Sequence, residues 1–521
     1  MKIQLRDIVR VGYIRLFALT FFVFFLGCKK SAVPPDQADD FGIDKRYTYL
    51  DDAAENKLKD DTWYYFKVLS LWQDHIPPKK YADMYKITED NYIRDNFTQY
   101  FREAEDVMDF LKAQTPIDIL TNKPIDRFSF LDRAGVVSGE IQDAVSTSYG
   151  MYVFFLQTQE AYEDNDNAYL YVRMVDKGSP AYMAGIRRGD RIISMNGRAN
   201  LDYNTQKTQD FKEVNDALNG NSMSIVWRIP SGAEFSASMN STSYSYDPIL
   251  SDKVLTAGGN KVGYLAFSSF VNITDRQGLP TDMYNRFEAI FNNFQTEGIR
   301  SLIVDLRYNG GGAVNTAEYL VNKIAPASAH GKQMYYYKLN TLLTRDWKWT
   351  QADSAFAPVA ITKLGTLDLD KVYFLVSRNT ASASELLINT LKPYLNIQTI
   401  GPERTYGKPV GYFPVEIGLR EEEEVYVTSF QMFNAQGYGD YFNGLDLSKQ
   451  AYEDYFKDFG DPEEALLAHA LYHLSNGKYS TGALNKSASI LPGERQKTER
   501  LKEVKIIGPL RAGDYGMFKF K

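Results

Sequence analysis

The chain has 521 residues, with 59 basic and 66 acidic side chains, a net charge of -7, four histidines and a single cysteine. One sulfur cannot build an intrachain disulfide, a cysteine-ligated zinc site or an iron–sulfur site, and the mildly acidic balance lacks the clustered basic surface that a nucleic-acid partner requires. A composition of 44% hydrophobic and 24% charged residues is that of a folded protein, and at about 150 residues per domain the length predicts about three or four domains.

At the start, Lys2, Arg6, Arg10 and Arg15 flank or precede an uncharged apolar run from Leu16 to Gly27. As a helix this run would rise about 18 Å, short of a hydrocarbon core of about 30 Å, so residues 1–27 read as an export signal and not as a spanning anchor. The run stops at Phe25-Leu26-Gly27-Cys28, which resembles the lipobox of bacterial lipoproteins, with Phe25 where that pattern has Leu. The resemblance implies a lipid on Cys28, a membrane attachment through that lipid alone, and a flexible tether over 28–44. The expected location is the cell envelope, periplasm or outer membrane, of a Gram-negative bacterium.

Residues 45–130 carry aromatic and apolar side chains at helical spacing, among them Trp63, Phe66, Leu69 and Trp72, and predict a small helical domain. Over 147–245 the pattern changes to short strands, Tyr152–Gln157, Tyr169–Met174 and Arg191–Met195, with helices from Pro180 and over Thr208–Leu218. The run Ala181-Tyr-Met-Ala-Gly-Ile-Arg-Arg-Gly-Asp-Arg-Ile-Ile-Ser-Met-Asn-Gly197 resembles the signature of a PDZ domain. Such domains take an extended peptide onto a sheet edge and hold its carboxylate on loop amides. Here that loop falls at Ser148-Tyr149-Gly150-Met151, which makes Tyr149, Gly150 and Met151 the expected peptide contacts.

From about 255 to 480, buried strands alternate with helices: Gly263–Phe267, a helix over Thr281–Gln295, Ser301–Leu306, a helix after Gly312, Val372–Ser377, a helix over Ser384–Leu391, and Ile397–Gly401. Continuous apolar strands separated by helical periods predict an α/β sheet covered on both faces, whose chemistry sits where strand ends meet helix starts. Three junctions stand out. Ile303-Val-Asp-Leu-Arg-Tyr-Asn-Gly-Gly-Gly312 runs a buried strand into three glycines, which let backbone N–H groups approach a substrate as an oxyanion hole requires; no Lys-Ser/Thr follows, which disfavours a phosphate loop. Thr380-Ala-Ser-Ala-Ser-Glu385 puts serines at the positive end of a helix dipole, with Ser384 expected to cap and Ser382 to react. Thr405-Tyr-Gly-Lys408 follows the next strand.

A reactive serine needs a base, and the histidines are poorly placed. His469 and His473 lie on an apolar helix without an acid to complete a ligand set, His75 is in the helical region, and His330 has no motif around it. A desolvated lysine can serve, and Lys408 is the best candidate.

The PDZ-like run followed by D-L-R-x-N-x-G-G, S-A-S-E and Y-G-K resembles the C-terminal processing, or tail-specific, serine peptidases over about Thr147 to Ser475. The resemblance implies a multidomain α/β fold: a crotonase/Clp-protease-like catalytic core, a PDZ domain and a helical N-terminal domain. It assigns Ser382 as nucleophile, Lys408 as base, and the N–H groups of Gly311 and Ala383 as oxyanion donors. It implies protein or peptide substrates and no cofactor or metal. The serine-to-lysine spacing of 26 is one residue longer than the family pattern, and Tyr412 stands where many members have a lysine-orienting glutamine. The late G-I-x-P-D motif is reduced to Gly444-Leu-Asp-Leu-Ser448, while Phe459 to Leu467 resembles the closing helix.

Two rival readings share these residues: a catalytically weak envelope lipoprotein that binds peptides or apolar ligands, and an esterase or amidase for small acyl substrates. Glu421–Glu424 is expected as a solvated turn. Residues 481–521, with nine Lys or Arg against four acids from Asn485 on, are expected as a basic tail, loosely ordered or touching anionic membrane.

Overall fold

The computed structural model describes residues 41–49, 52–420, 422–481, 502–507 and 517–518; the expected export signal, Cys28 and most of the expected tether lie outside them. The first helix, α1 (Ala53–Leu69), begins where Asp52 accepts the Glu55 N–H at 2.8 Å, satisfying one orphan donor of the helix start. Trp63 on its inner face is fully buried and stacks on Phe97 with ring centroids 4.5 Å apart. With α2 (Ala104–Ala113), this is the helical region expected over 45–130, yet it has no separate core. Trp63, Phe66 and Leu111 belong to the same apolar cluster as Phe413, Val425 and Phe430 of the catalytic region. The strand that follows, β1 (Phe130–Asp132), pairs with residues 424–426.

Residues 151–240 fold around a core of their own. The strands β2 (Met151–Gln157), β3 (Tyr169–Val175), β4 (Arg191–Met195), β5 (Ser222–Arg228) and β6 (Glu234–Asn240) lie antiparallel in chain order. The three expected strands fall within one residue of β2, β3 and β4. The helix expected over Thr208–Leu218 instead starts later, as α3 (Lys212–Asn219). Asp210 and Phe211 take left-handed φ of 50° and 60°, and the Phe211 ring packs against Phe155 and Tyr203.

Beyond Ile249, β7 (Ile249–Ala257) and β8 (Asn260–Phe267) form a hairpin, and α4 (Asp282–Thr296) crosses over to β9 (Ser301–Asp305). Then come β10 (Gly312–Ala313), α5 (Val314–Ile324), β11 (Gln333–Lys338), β12 (Lys371–Leu375), α6 (Ala383–Leu391) and β13 (Asn396–Gly401). After them follow β14 (Val410–Glu416), β15 (Glu424–Asn434), β16 (Lys449–Gln450) and α7 (Ala465–Asn476). One sheet runs β7-β8-β9-β12-β13-β16 and is parallel from β8 onward. Its inner strands are buried, as a sheet covered on both faces demands. A second sheet contains β10, β14, β15 and β11, with β1 joined to β15. The ends of β9, β12 and β13 deliver the three expected junctions to one place.

Two expectations change. The glutamate run is not a solvated turn: Glu423 and Glu424 are buried, and Glu424 accepts hydrogen bonds from Ser138 Oγ at 2.8 Å and Tyr426 OH at 2.5 Å. Nor is the basic tail only loose chain. Its segment β17 (Lys502–Ile507) adds to the outer edge of β2, and β18 (Met517–Phe518) lies between β10 and β14.

The PDZ-like unit is tied to the parallel sheet by a buried ionic cluster. Arg307, at the end of β9, is 1% exposed and reaches Asp305 at 2.7 Å, Glu464 at 2.7 Å and Glu453 at 3.1 Å. Arg188, from the loop before β4, pairs with the same Glu453, donates to the Lys457 carbonyl at 3.0 Å, and donates to Tyr308 OH at 3.0 Å. Burial opposes the charge on Glu453, but the two guanidinium groups overcome it and hold its carboxyl below the usual range. Replacing Glu453 by Ala leaves two buried cations short of a counter-charge and should cost about 3–5 kcal/mol in denaturant unfolding. Because the carboxyl titrates low, the parent chain should lose that contribution as pH falls through the folded value, and the variant should not.

Candidate active site

Ser382 stands at the start of α6 with φ 62° and ψ -113°, a conformation costing an L-residue about 1–3 kcal/mol unless its surroundings impose it. The surroundings are specific. Ala381 donates its N–H to the Asn309 carbonyl at 3.2 Å, and Tyr406 donates to the Thr380 carbonyl at 2.9 Å. Ser384 does not cap the helix as expected; its hydroxyl donates to the Asn309 carbonyl at 2.9 Å and lies 3.0 Å from Asn309 Oδ1. The residue in the cap position is Ser382, whose Oγ is fully buried and has no hydrogen-bond partner among the described residues.

Glu385, one turn into α6, binds the serine and lysine segments together. Its Oε2 accepts the Ser382 N–H at 2.9 Å and the Lys408 N–H at 2.8 Å, while its Oε1 accepts Thr405 Oγ1 at 2.5 Å and the Gly407 N–H at 2.8 Å. Burial pushes this carboxyl up, and the four donors pull against that shift. The sequence reading, which put the cap at Ser384, missed Glu385; the S-x-x-E spacing from Ser382 to Glu385, the pattern of a helix capping box, is the signal that could have found it.

Lys408 is 2% exposed. Its amine donates to Tyr412 OH, and Tyr412 OH donates in turn to the Phe128 carbonyl at 2.6 Å. The amine also lies 5.1 Å from the Phe128 ring centroid. Burial in this aromatic setting pushes the amine well below the usual lysine value; Asp126 and Glu385 oppose the shift and Arg127 adds to it. Arg127 fixes the lysine loop from the other side, donating to the Gly407 carbonyl at 3.1 Å and the Phe442 carbonyl at 2.8 Å. Nothing in the sequence around Arg127 and Phe128 marks them, because their role comes from a contact spanning 280 positions of chain.

Gly311 has φ 114°, and a Cβ there would lie 2.9 Å from Ser382 Cβ and 3.0 Å from Ala383 N. Only glycine allows this approach, which brings both expected oxyanion donors beside the serine. The Gly311 N–H, however, donates to Asn309 Oδ1 at 3.0 Å. Among the described residues, no group of three or more His, Cys, Asp or Glu converges as a metal site would need. His469 is buried, which lowers its value to about 4, and His473 Nδ1 lies 2.6 Å from Tyr373 OH, so both serve packing on α7.

On the PDZ-like unit, Tyr149 is buried, with its hydroxyl donating to the Gly220 carbonyl at 2.6 Å. Gly150 has φ 69° and donates its N–H to Ser148 Oγ at 3.0 Å; a Cβ there would fall 2.1 Å from Ser179 Cβ. Met151 is buried and opens β2.

Residues 261–445 match peptidase family S41, and residues 171–228 match the PDZ domain. The chain is 27% identical over 273 residues to the chloroplastic C-terminal processing peptidase of Tetradesmus obliquus, covering 48% of this chain and 50% of that one. It is 23% identical over 332 residues to the carboxy-terminal processing protease CtpB of Bacillus subtilis, covering 59% and 60%. The matched part thus spans about half to three fifths of these relatives. Among solved structures, an S41 protease from Bacteroides fragilis is similar in fold, with a TM-score of 0.59 and 23% identity over 80% of this chain and 97% of that one.

Glutamine in place of Glu385 would turn an NH₂ group towards two of the four donors. Glu385→Gln should therefore lower stability by at least about 2 kcal/mol in denaturant unfolding and speed amide exchange at Ser382 or Lys408. Unchanged stability would show that the carboxylate is not what joins the two segments.

Proposed function

We propose, for a chain that carries a family S41 peptidase domain behind a PDZ domain, the activity of a serine endopeptidase that cleaves proteins or peptides by a Ser382–Lys408 dyad. The observation that carries this reading is the shared carboxylate of Glu385, which holds on one oxygen atom the backbones of a desolvated lysine and of a strained serine whose hydroxyl has no partner among the described residues.

Lys408, neutral because burial disfavours its charge, takes the Ser382 Oγ proton as Oγ bonds to the substrate carbonyl carbon. The Ala383 N–H at the start of α6, and the Gly311 N–H once released from Asn309, receive the oxyanion. The C–N bond breaks as Lys408 returns the proton to the leaving amine. Water then attacks the acyl-enzyme, giving its proton to Lys408, and the acid product departs as the proton returns to Ser382 Oγ. Tyr412 is the positioning residue: its hydroxyl accepts a hydrogen bond from the lysine amine and donates one to the Phe128 carbonyl, work that an amide side chain could also do. The PDZ-like unit, with Tyr149, Gly150 and Met151 at the head of β2, offers the edge on which a substrate strand adds.

Ser382→Ala and Lys408→Ala should each abolish cleavage of an unfolded protein such as casein, and Ser382→Ala should abolish labelling by a serine-directed probe. Turnover by either variant sinks the dyad. The base must be neutral, so kcat/KM should rise with pH through the Lys408 value, which lies well below that of free lysine; Tyr412→Phe should lower kcat about 10- to 100-fold and displace that limb, and Tyr412→Gln should recover part of both.

Cys28, outside the described residues, is read as the lipid attachment that keeps the enzyme in the envelope. A Cys28→Ser chain should lose labelled palmitate and leave the membrane fraction; a variant that stays membrane-bound would remove this part of the reading.

A further inference from the structure

Two strands from the last twenty residues occupy the two edges at which a peptide would be read. β17 pairs antiparallel with β2, Lys502 opposite Gln157 and Ile507 opposite Val153, and so runs toward the Ser148–Met151 loop. This is the edge on which a PDZ domain adds an extended ligand as a strand. β18 is paired on both sides: Met517 lies opposite Gly312 and Gly411, and Phe518 opposite Ala313 and Tyr412. Gly312 follows the expected oxyanion donor Gly311, and Tyr412 holds the lysine amine. A backbone seated between them runs along the two strands that lead from these residues.

In this arrangement the centre is closed. Ser382 has no exposed surface and Lys408 has 2%. The Gly311 N–H is taken by Asn309 Oδ1, so one of the two oxyanion donors is turned inward. The chain continues past Ile507, so the PDZ edge here holds an interior stretch of polypeptide with no terminal carboxylate.

We propose that residues 502–507 and 517–518 are internal peptide ligands, β17 holding the PDZ edge and β18 the substrate slot between β10 and β14, so that a substrate must displace the chain's own strands before it is cut. This rests on the peptidase reading above. Ladder hydrogen bonds give such a strand affinity with little demand on sequence, and tethering raises its local concentration to the order of millimolar. Substrate affinity then falls by the fraction of sites that stand open.

Phe518→Pro in the full chain removes an N–H from a strand paired on both sides, which a central strand does not tolerate. Deletion of residues 482–521 removes both strands. Either change should raise kcat/KM on casein about tenfold, the gain that corresponds to a segment closing about nine sites in ten, and a synthetic peptide of residues 500–521 should compete the rate back down. Amide exchange over 410–416 in the Ser382→Ala chain, with and without Phe518→Pro, reads the seating apart from catalysis, and faster exchange with the proline is expected. Unchanged exchange overturns the proposal, as does a kcat/KM that fails to rise in both variants while the parent cleaves casein. Faster exchange with no casein cleavage by any chain supports the seating and overturns the peptidase reading instead.

Discussion

The carboxylate of Glu385 has no exposed surface and four hydrogen bonds, and the geometry of the candidate site follows from how they are satisfied. Removing a carboxylate from water costs several kcal/mol, which only a full set of donors offsets. Those donors come from two separated stretches, the turn into α6 and the loop after β13. Neither stretch can shift without leaving the charge short of a partner. The need to satisfy one buried anion therefore sets the serine and lysine segments side by side, before any substrate is present.

The same crowding explains the strain. Ser382 sits at positive φ because Glu385 pulls its N–H inward while Asn309 holds Ala381 and Ser384 on either side. Gly311 completes the arrangement from β9, at a distance no side chain could share. Since the loop after β9 also carries Arg307 and Tyr308, the stretch with Gly311 is continuous with the buried ionic cluster that reaches Arg188 in the PDZ-like unit. A movement of that unit would be felt at Glu453 and Tyr308, three residues from the glycine.

Much of the fold could be read along the chain, since it rests on local pattern. Strands β2, β4, β9 and β12 are short apolar runs bounded by Gly, Asn or charged residues, and α6 begins at a capping signature. The junctions of the site were legible for the same reason: glycine runs and small residues follow buried strands. What escaped was long-range. The helical region shares its core with the sheet because Phe413, Val425 and Phe430 face it, which no periodicity records. The break at Asp210–Phe211 comes from a ring seeking Phe155, and the burial of Glu424 comes from Ser138, nearly three hundred positions away. A run of charges reads as solvated until a distant hydroxyl is found beside it.

Tyr412 shows how such a contact changes the meaning of a residue. Read in line, a tyrosine where the family pattern has glutamine weakens the case for an oriented lysine. In space, the phenol both accepts from the amine and donates to the Phe128 carbonyl, so it terminates a chain of two hydrogen bonds on the segment that precedes β1. That segment is held by Asp126, which accepts the N–H groups of Phe128 and Ser129 at 3.1 and 3.0 Å and the Thr428 hydroxyl at 3.0 Å. The orientation of the lysine amine thus depends on strand β15 and on the chain that leads out of the N-terminal helices. The helical region and the sheet have to share one core for the proposed base to have a fixed direction, and the sharing of one apolar cluster by both is the structural counterpart of that requirement.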